Sequence, residues 1–230
     1  MKFENGKIVL DDFLLSLQKK GVIFENIFNV VVDKLAKIQK GAVIGNGVKI
    51  SGKSIIKSGA KVLDGSVIQN SKIGKNALVQ SSYVLDSDVG DGTTVGPFAK
   101  IRANSKIKKN CRIGNFVEVK NSQIGDGSKC AHLTYIGDAT VGQNCNFGCG
   151  SITINYDGVK KFKTTIGNNV FIGSNANIIA PVKLADNSFV CAGTTITKNL
   201  DKYDFAIGRP FATIKKGYAK IYFKKRGINR

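Results

Sequence analysis

Histidine is almost absent from this chain, with 1 residue in 230, and tryptophan is missing altogether. One imidazole excludes any metal centre that needs several histidines, such as a three-histidine zinc site. The five cysteines (Cys111, Cys130, Cys145, Cys149 and Cys191) are odd in number and form no CxxC pair. That pattern fits neither a disulfide framework nor a zinc ribbon; it fits small core residues in a reducing cytoplasm. With only 3 prolines, a proline-rich linker is out. No apolar run approaches the roughly 20 residues of a bilayer span, and Met1-Lys2-Phe3-Glu4 turns acidic too early for a secretory leader, so no membrane insertion is expected. Acidic residues are scarce too, 16 against 35 lysines and arginines, for a formal charge of +19. The lysines are spread over the whole length, without a basic helix or interleaved aromatics. This argues against nucleic acid and for a solvated lysine surface, with a local share left for a phosphate-bearing ligand.

What is present is a repeat. Hydrophobic residues make up 42%, enough for a core, and 26 glycines suit many tight turns. Aliphatic residues recur every six positions at Val32, Ile38, Ile44, Ile50, Ile56 and Val62, again from Val89 to Val119, and again from Ile166 to Ile196. Five-residue steps occur from Val119 to Ile124 and from Ile136 to Val141. A period of six fits neither a helix nor a long alternating strand. It fits a short strand and a turn, three of which close one coil of a parallel β-helix, each coil rising by about 4.8 Å. The expected fold is all-β: a β-helix of about nine coils over residues 32–199, left-handed by association with hexapeptide repeats. The rhythm breaks at Asn155-Tyr156-Asp157-Gly158, so residues 155–164 are expected to leave the coil as a loop.

The ends differ from the middle. In residues 1–31, Asp11-Asp12 ahead of Phe13, Leu14, Leu15 and Leu17, with Gly21 beyond, reads as a short capped helix closing the open coil. Residues 200–230 form an aromatic, basic tail expected to be irregular. Gly47 to Ser54 satisfies the phosphate-loop pattern GxxxxGK[ST]. That loop works only between a strand and a helix, whereas Ile44, Ile50 and Ile56 carry the six-residue step straight through it.

The single histidine lies in Cys130-Ala131-His132-Leu133-Thr134-Tyr135. Arg102, Glu118 and Lys120 precede it; Asn146, Asn155, Tyr156 and Lys161 follow. At about eighteen residues per coil, cations, amides and one potential base stack on neighbouring layers. The linked motifs Gly96-Pro97-Phe98-Ala99-Lys100-Ile101-Arg102, Gly114-Asn115-Phe116-Val117-Glu118-Val119-Lys120, His132-Leu133-Thr134-Tyr135 and Asn155-Tyr156-Asp157-Gly158 resemble one family. It is the acetyltransferase half of the bacterial bifunctional N-acetylglucosamine-1-phosphate uridyltransferase/glucosamine-1-phosphate acetyltransferases. The likeness is dense over residues 89–209 and looser back to about residue 40. No glycine-rich nucleotidyltransferase signature precedes the repeat in this chain; a monofunctional protein and a fragment both fit.

The resemblance implies acetyl-CoA as co-substrate, no metal in the transfer step, a homotrimer with the site between subunits, and a cytoplasmic setting. It implies His132 as general base, a task suited to imidazole, which titrates near working pH. Glu118 and Asn155 would orient the ring or the amine. Arg102, Lys120 and Lys161 would hold the sugar phosphate, with Tyr135, Asn146 and Tyr156 adding polar contacts. Cys149 (through a backbone N–H on the oxyanion), Ser174, Ala192 and Arg209 would meet the cofactor. Cys130-Ala131 and Gly148-Cys149-Gly150 depart from the family's Ala-Gly and Gly-Ala-Gly, placing a thiol at the acetyl pocket. Another amino sugar or sugar nucleotide as acceptor, and a scaffold without catalysis, are the alternatives.

Overall fold

A computed structural model describes residues 2–4, 7–9 and 11–228. The chain winds as a parallel β-solenoid of about ten turns with three flat faces. Face one stacks eleven short strands from Ile23–Phe24 to Phe205–Ala206. Face two stacks ten from Val31–Val32 to Thr195–Ile196, and face three nine from Lys37–Ile38 to Val182–Leu184. The strand ladder thus starts ahead of the first six-residue step and ends beyond the last, which adds a turn to the nine expected. The architecture is that of hexapeptide-repeat left-handed β-helices.

The period explains itself in the core. Ile101, Ile107, Ile113 and Val119 point inward and are buried, as are Ile166, Ile172, Ile178, Leu184, Val190 and Ile196. Each fully buried Ile contributes roughly 1.5–3 kcal/mol relative to exposure, and β-branching favours the extended backbone. The residue before the inward aliphatic faces solvent and is often lysine, as at Lys49, Lys61, Lys72 and Lys106. Much of the positive charge is therefore a consequence of strand alternation.

Corners hold small polar residues. Buried serines Ser71, Ser87, Ser105 and Ser122 stack coil on coil, the hydroxyl of each accepting an N–H from the coil above at 2.9–3.3 Å. They satisfy turn amides that strand pairing leaves over. Gly47 to Ser54 is turn, strand (Lys49–Ser51) and bend on this ladder, with Ser54 buried and another strand, Ile55–Ile56, directly after it.

Helix α1 (Asp12–Lys19) closes one end. The Asp11 carboxylate accepts from the Phe13 N–H at 2.9 Å as N-cap, and Leu14 and Leu17 pack into the core with Val22 and Ile38. At the other end the tail is not wholly irregular. It contains a second helix, α2 (Tyr218–Lys225), none of whose residues is buried. Among the described residues no helix is long and apolar enough to cross a membrane.

Candidate active site

The site residues fall at two neighbouring corners of the solenoid. His132 ends the face-one strand Lys129–His132, directly above Asn115 in the ladder. The imidazole Nδ1 lies 2.7 Å from the Asn115 Oδ1. A carboxamide oxygen only accepts, so Nδ1 carries the proton and Nε2 keeps its lone pair. Asn115, rather than Glu118 or Asn155, is what holds the ring.

Above His132 the same corner continues as a column. The Gly150 N–H donates to the Leu133 carbonyl, the Asn175 N–H to that of Cys149, and the Gly193 N–H to that of Ser174. The Arg209 guanidinium reaches the Ala192 carbonyl at 3.1 Å. Cys149, Ser174, Ala192 and Arg209 thus stand one above the other. Among the described residues, no protein acceptor faces the N–H groups of Cys149, Ser174 and Ala192. Two glycines allow this close stacking: a Cβ at Gly148 would lie 2.4 Å from the Ser174 N, and one at Gly173 would lie 2.3 Å from the Ala192 N. Cys149 is half-buried while the other four cysteines are buried. Burial pushes the thiols of Cys111, Cys130 and Cys145 up, so these three stay protonated.

The second group lies on face two, at the far end of the strands that begin beside His132. Three residues of strand separate the two corners, about 10 Å. Arg102 pairs with Lys120 in the ladder, and Glu118 with Tyr135. The Arg102 Nε donates to the Glu118 Oε1 at 2.6 Å, which commits Glu118 to the guanidinium. Lys120 lies beside Asp138, its Nζ 3.6 Å from Oδ2. Asn155 is buried and donates to that same Oδ2. The loop behind Asn155 folds on itself: the Phe162 N–H returns to the Asn155 carbonyl, and Asp157 accepts from the Val159 and Lys160 N–H groups, which hold its carboxyl below the usual range. The Tyr156 hydroxyl donates to the Gly158 carbonyl at 2.5 Å and is spent within the loop.

Lys161 returns from the loop to meet Lys120. Hydrogen bonding to Lys120, together with its charge, pushes the Lys161 ammonium down. The Lys161 contact raises Lys120 against the opposing effect of desolvation, and the Asp138 charge adds to the rise. Asn146 pairs with Lys129 in the ladder on face one, one coil above the histidine strand. The motifs assign no role to Asn115 or Asp138; the coil-to-coil register reveals their contacts.

Two stretches, residues 86–121 and 163–198, match the family model described as bacterial transferase hexapeptide (six repeats). The bifunctional protein GlmU of Clostridium botulinum (strain Langeland) is 45% identical over 222 residues, covering 93% of this chain and 49% of that protein. GlmU of Clostridium acetobutylicum is 48% identical over 190 residues, covering 83% and 42%. The chain spans about half the length of the relatives it matches. Among solved structures, an Arabidopsis UDP-N-acetylglucosamine acyltransferase aligns with a TM-score of 0.51 at 16% identity, over 77% of this chain and 69% of that one. That is a likeness of fold.

Proposed function

Since the chain is a homologue of the C-terminal half of the bifunctional GlmU proteins, we propose that it is an acetyl-CoA-dependent N-acetyltransferase acting on an amino-sugar phosphate, glucosamine 1-phosphate first among the candidates. The observation that carries this reading is the column of unpaired amides rising from His132. A thioester laid along Cys149, Ser174 and Ala192 brings its carbonyl to the histidine, while Arg209 meets the phosphates at the far end.

Arg102, Lys120 and Lys161 bind the sugar phosphate from face two, Arg102 by its planar fork and the lysines as point charges. Tyr135 and Asn146 supply further polar contacts, and Tyr156 acts by shaping its loop. The neutral amine attacks the thioester carbonyl as its proton passes to the His132 Nε2. The Cys149 N–H faces the tetrahedral oxyanion. Collapse breaks the carbon–sulfur bond; the imidazolium returns its proton to the leaving thiolate, giving free CoA and the N-acetylated sugar. The Cys149 thiol takes no part, and no step calls for a metal.

A homotrimer with the site between subunits fits the corner beneath His132. Phe98, Phe116 and Leu133 are more than half exposed there, at φ of 59°, 55° and 45°, and the two phenylalanine rings stack at 5.5 Å. Bulky residues seldom hold a left-handed backbone in the open, and a neighbouring subunit would cover them. A cytoplasmic setting supplies both substrates.

The test is thiol release from acetyl-CoA across a panel of amino sugars, amino-sugar phosphates and nucleotide-linked amines. Release that depends on glucosamine 1-phosphate and falls about 10²- to 10⁴-fold in His132→Ala is expected. Near-normal turnover in that variant would remove His132 as the base; preference for a nucleotide-linked amine would change the acceptor.

A further inference from the structure

We propose that Asp138 is a positioning residue of this site: its buried carboxylate sets which way the Asn155 amide faces and anchors the Lys120 ammonium. The assignment deepens the acetyltransfer reading and rests on it for its chemistry, though not for its geometry.

Asp138 turns the corner after the strand Tyr135–Gly137 with φ 49°, which swings the carboxylate inward until 6% of the residue is exposed. A buried carboxylate is tolerated only when its oxygens are paired. The donors come from the coils below and above. Asn121 Nδ2 approaches Oδ1 at 2.5 Å from below, Asn155 Nδ2 approaches Oδ2 from above, and Lys120 Nζ lies 3.6 Å from Oδ2. The backbone is pinned as well: the Asp138 N–H donates to the Lys120 carbonyl at 3.0 Å, and the Thr164 N–H donates to the Asp138 carbonyl at 3.2 Å. Burial works against ionisation here, but the hydrogen bonds from Asn121 and Asn155 and the charge of Lys120 outweigh it and hold the carboxyl below the usual range.

The consequence follows from donor inventory. An ionised carboxylate only accepts, so both amides must present nitrogen to it. The Asn155 oxygen is thereby turned away from Asp138, where it can accept from the sugar amine. Lys120, its side chain 14% exposed, holds its charge with an anion beside it. Three cations can then gather on face two before any phosphate arrives.

Asp138→Asn is nearly isosteric, and Asn tolerates the left-handed corner. In this variant, KM for the sugar phosphate is expected to rise and kcat to fall, together about 10- to 100-fold in kcat/KM, the scale of misplaced groups. KM for acetyl-CoA should hold, because the amide column stands at the other corner. An arm independent of acceptor measures competitive labelling of lysines by acetic anhydride, read by peptide mass spectrometry on the full chain. Lys120 should label several-fold faster in Asp138→Asn than in the unsubstituted protein, with Lys37 as internal reference. Equal Lys120 labelling overturns the assignment. So does a kinetic loss that tracks the folded fraction with KM unchanged. If the unsubstituted protein acetylates no amino-sugar phosphate, the acetyltransfer reading fails, and the labelling arm alone decides for or against Asp138.

Discussion

Replacing Asn115 probes the histidine without touching it. The 2.7 Å contact from Nδ1 to Oδ1 is a neutral, solvent-exposed hydrogen bond, of the kind that contributes a net 0.5–1.5 kcal/mol or so. Its role is to keep the proton on Nδ1 and the lone pair on Nε2. Asn115→Ala is therefore expected to lower kcat about 2- to 13-fold, since 1.36 kcal/mol corresponds to a factor of ten. Melting temperature should hardly move, because Asn115 lies on the rim and not in the core. Asn115→Asp is the sharper perturbation. A carboxylate facing the Nδ1 proton favours the imidazolium, and the base works only when neutral. The acid limb of the pH–rate profile should then move up, by about one pH unit for an exposed pair, with activity recovered in more alkaline buffer. The assay is steady-state thiol release from acetyl-CoA between pH 5.5 and about pH 9, a range that brackets the ordinary imidazole value. Superimposable profiles for Asn115→Asp and the unsubstituted protein would refute the tautomer argument. So would an Asn115→Ala loss as large as that of His132→Ala.

Two further outcomes bear on fold and charge. Gly173→Ala places a Cβ 2.3 Å from the Ala192 N with no strain in φ. Overpacking of this kind is worth about 1–3 kcal/mol, or roughly 2–12 °C in a chain of this size, and KM for acetyl-CoA should rise. Gly65→Ala, with φ 68° and open space around it, should leave that KM alone. Thermal melts and KM determinations separate the two. Asp138 gives a pH signature: its folded value lies below the ordinary 3.8. Its stabilisation is therefore fully present above that value and lost as pH falls through the folded one. Melting curves below pH 4 should show Asp138→Asn losing less on acidification than the unsubstituted protein.

The scaffold was legible because its signal is one-dimensional. Every aliphatic on the six-residue step from Val89 to Val119 and from Ile166 to Ile196 is buried. Cys149, Ser174 and Ala192 came from the family resemblance, and the ladder is what stacks them at one corner. The side-chain pairings were not legible. They depend on register, and the five-residue steps at Val119–Ile124 and Ile136–Val141 shorten the coil locally to seventeen residues. Asn115 therefore meets His132, and Asp138 meets both Asn121 and Asn155, at a separation of seventeen. Counting by eighteen misses each by one position. Glu118, expected to orient the ring or the amine, hydrogen-bonds Arg102 sixteen residues back. Helix α2 was missed because it buries nothing, so no periodic apolar stripe announces it.

The coils from Ile23 to Val95 contain none of the proposed site residues, and each touches only the coils above and below. Location in such a molecule is a matter of phase rather than distance. Splicing a whole coil between Leu63 and Leu78 would lengthen the pillar by about 4.8 Å and leave His132 its neighbours. Adding one residue there would reverse inward and outward for the local strand. Like a thread on a bolt, the chain tolerates full turns and jams on fractions of one.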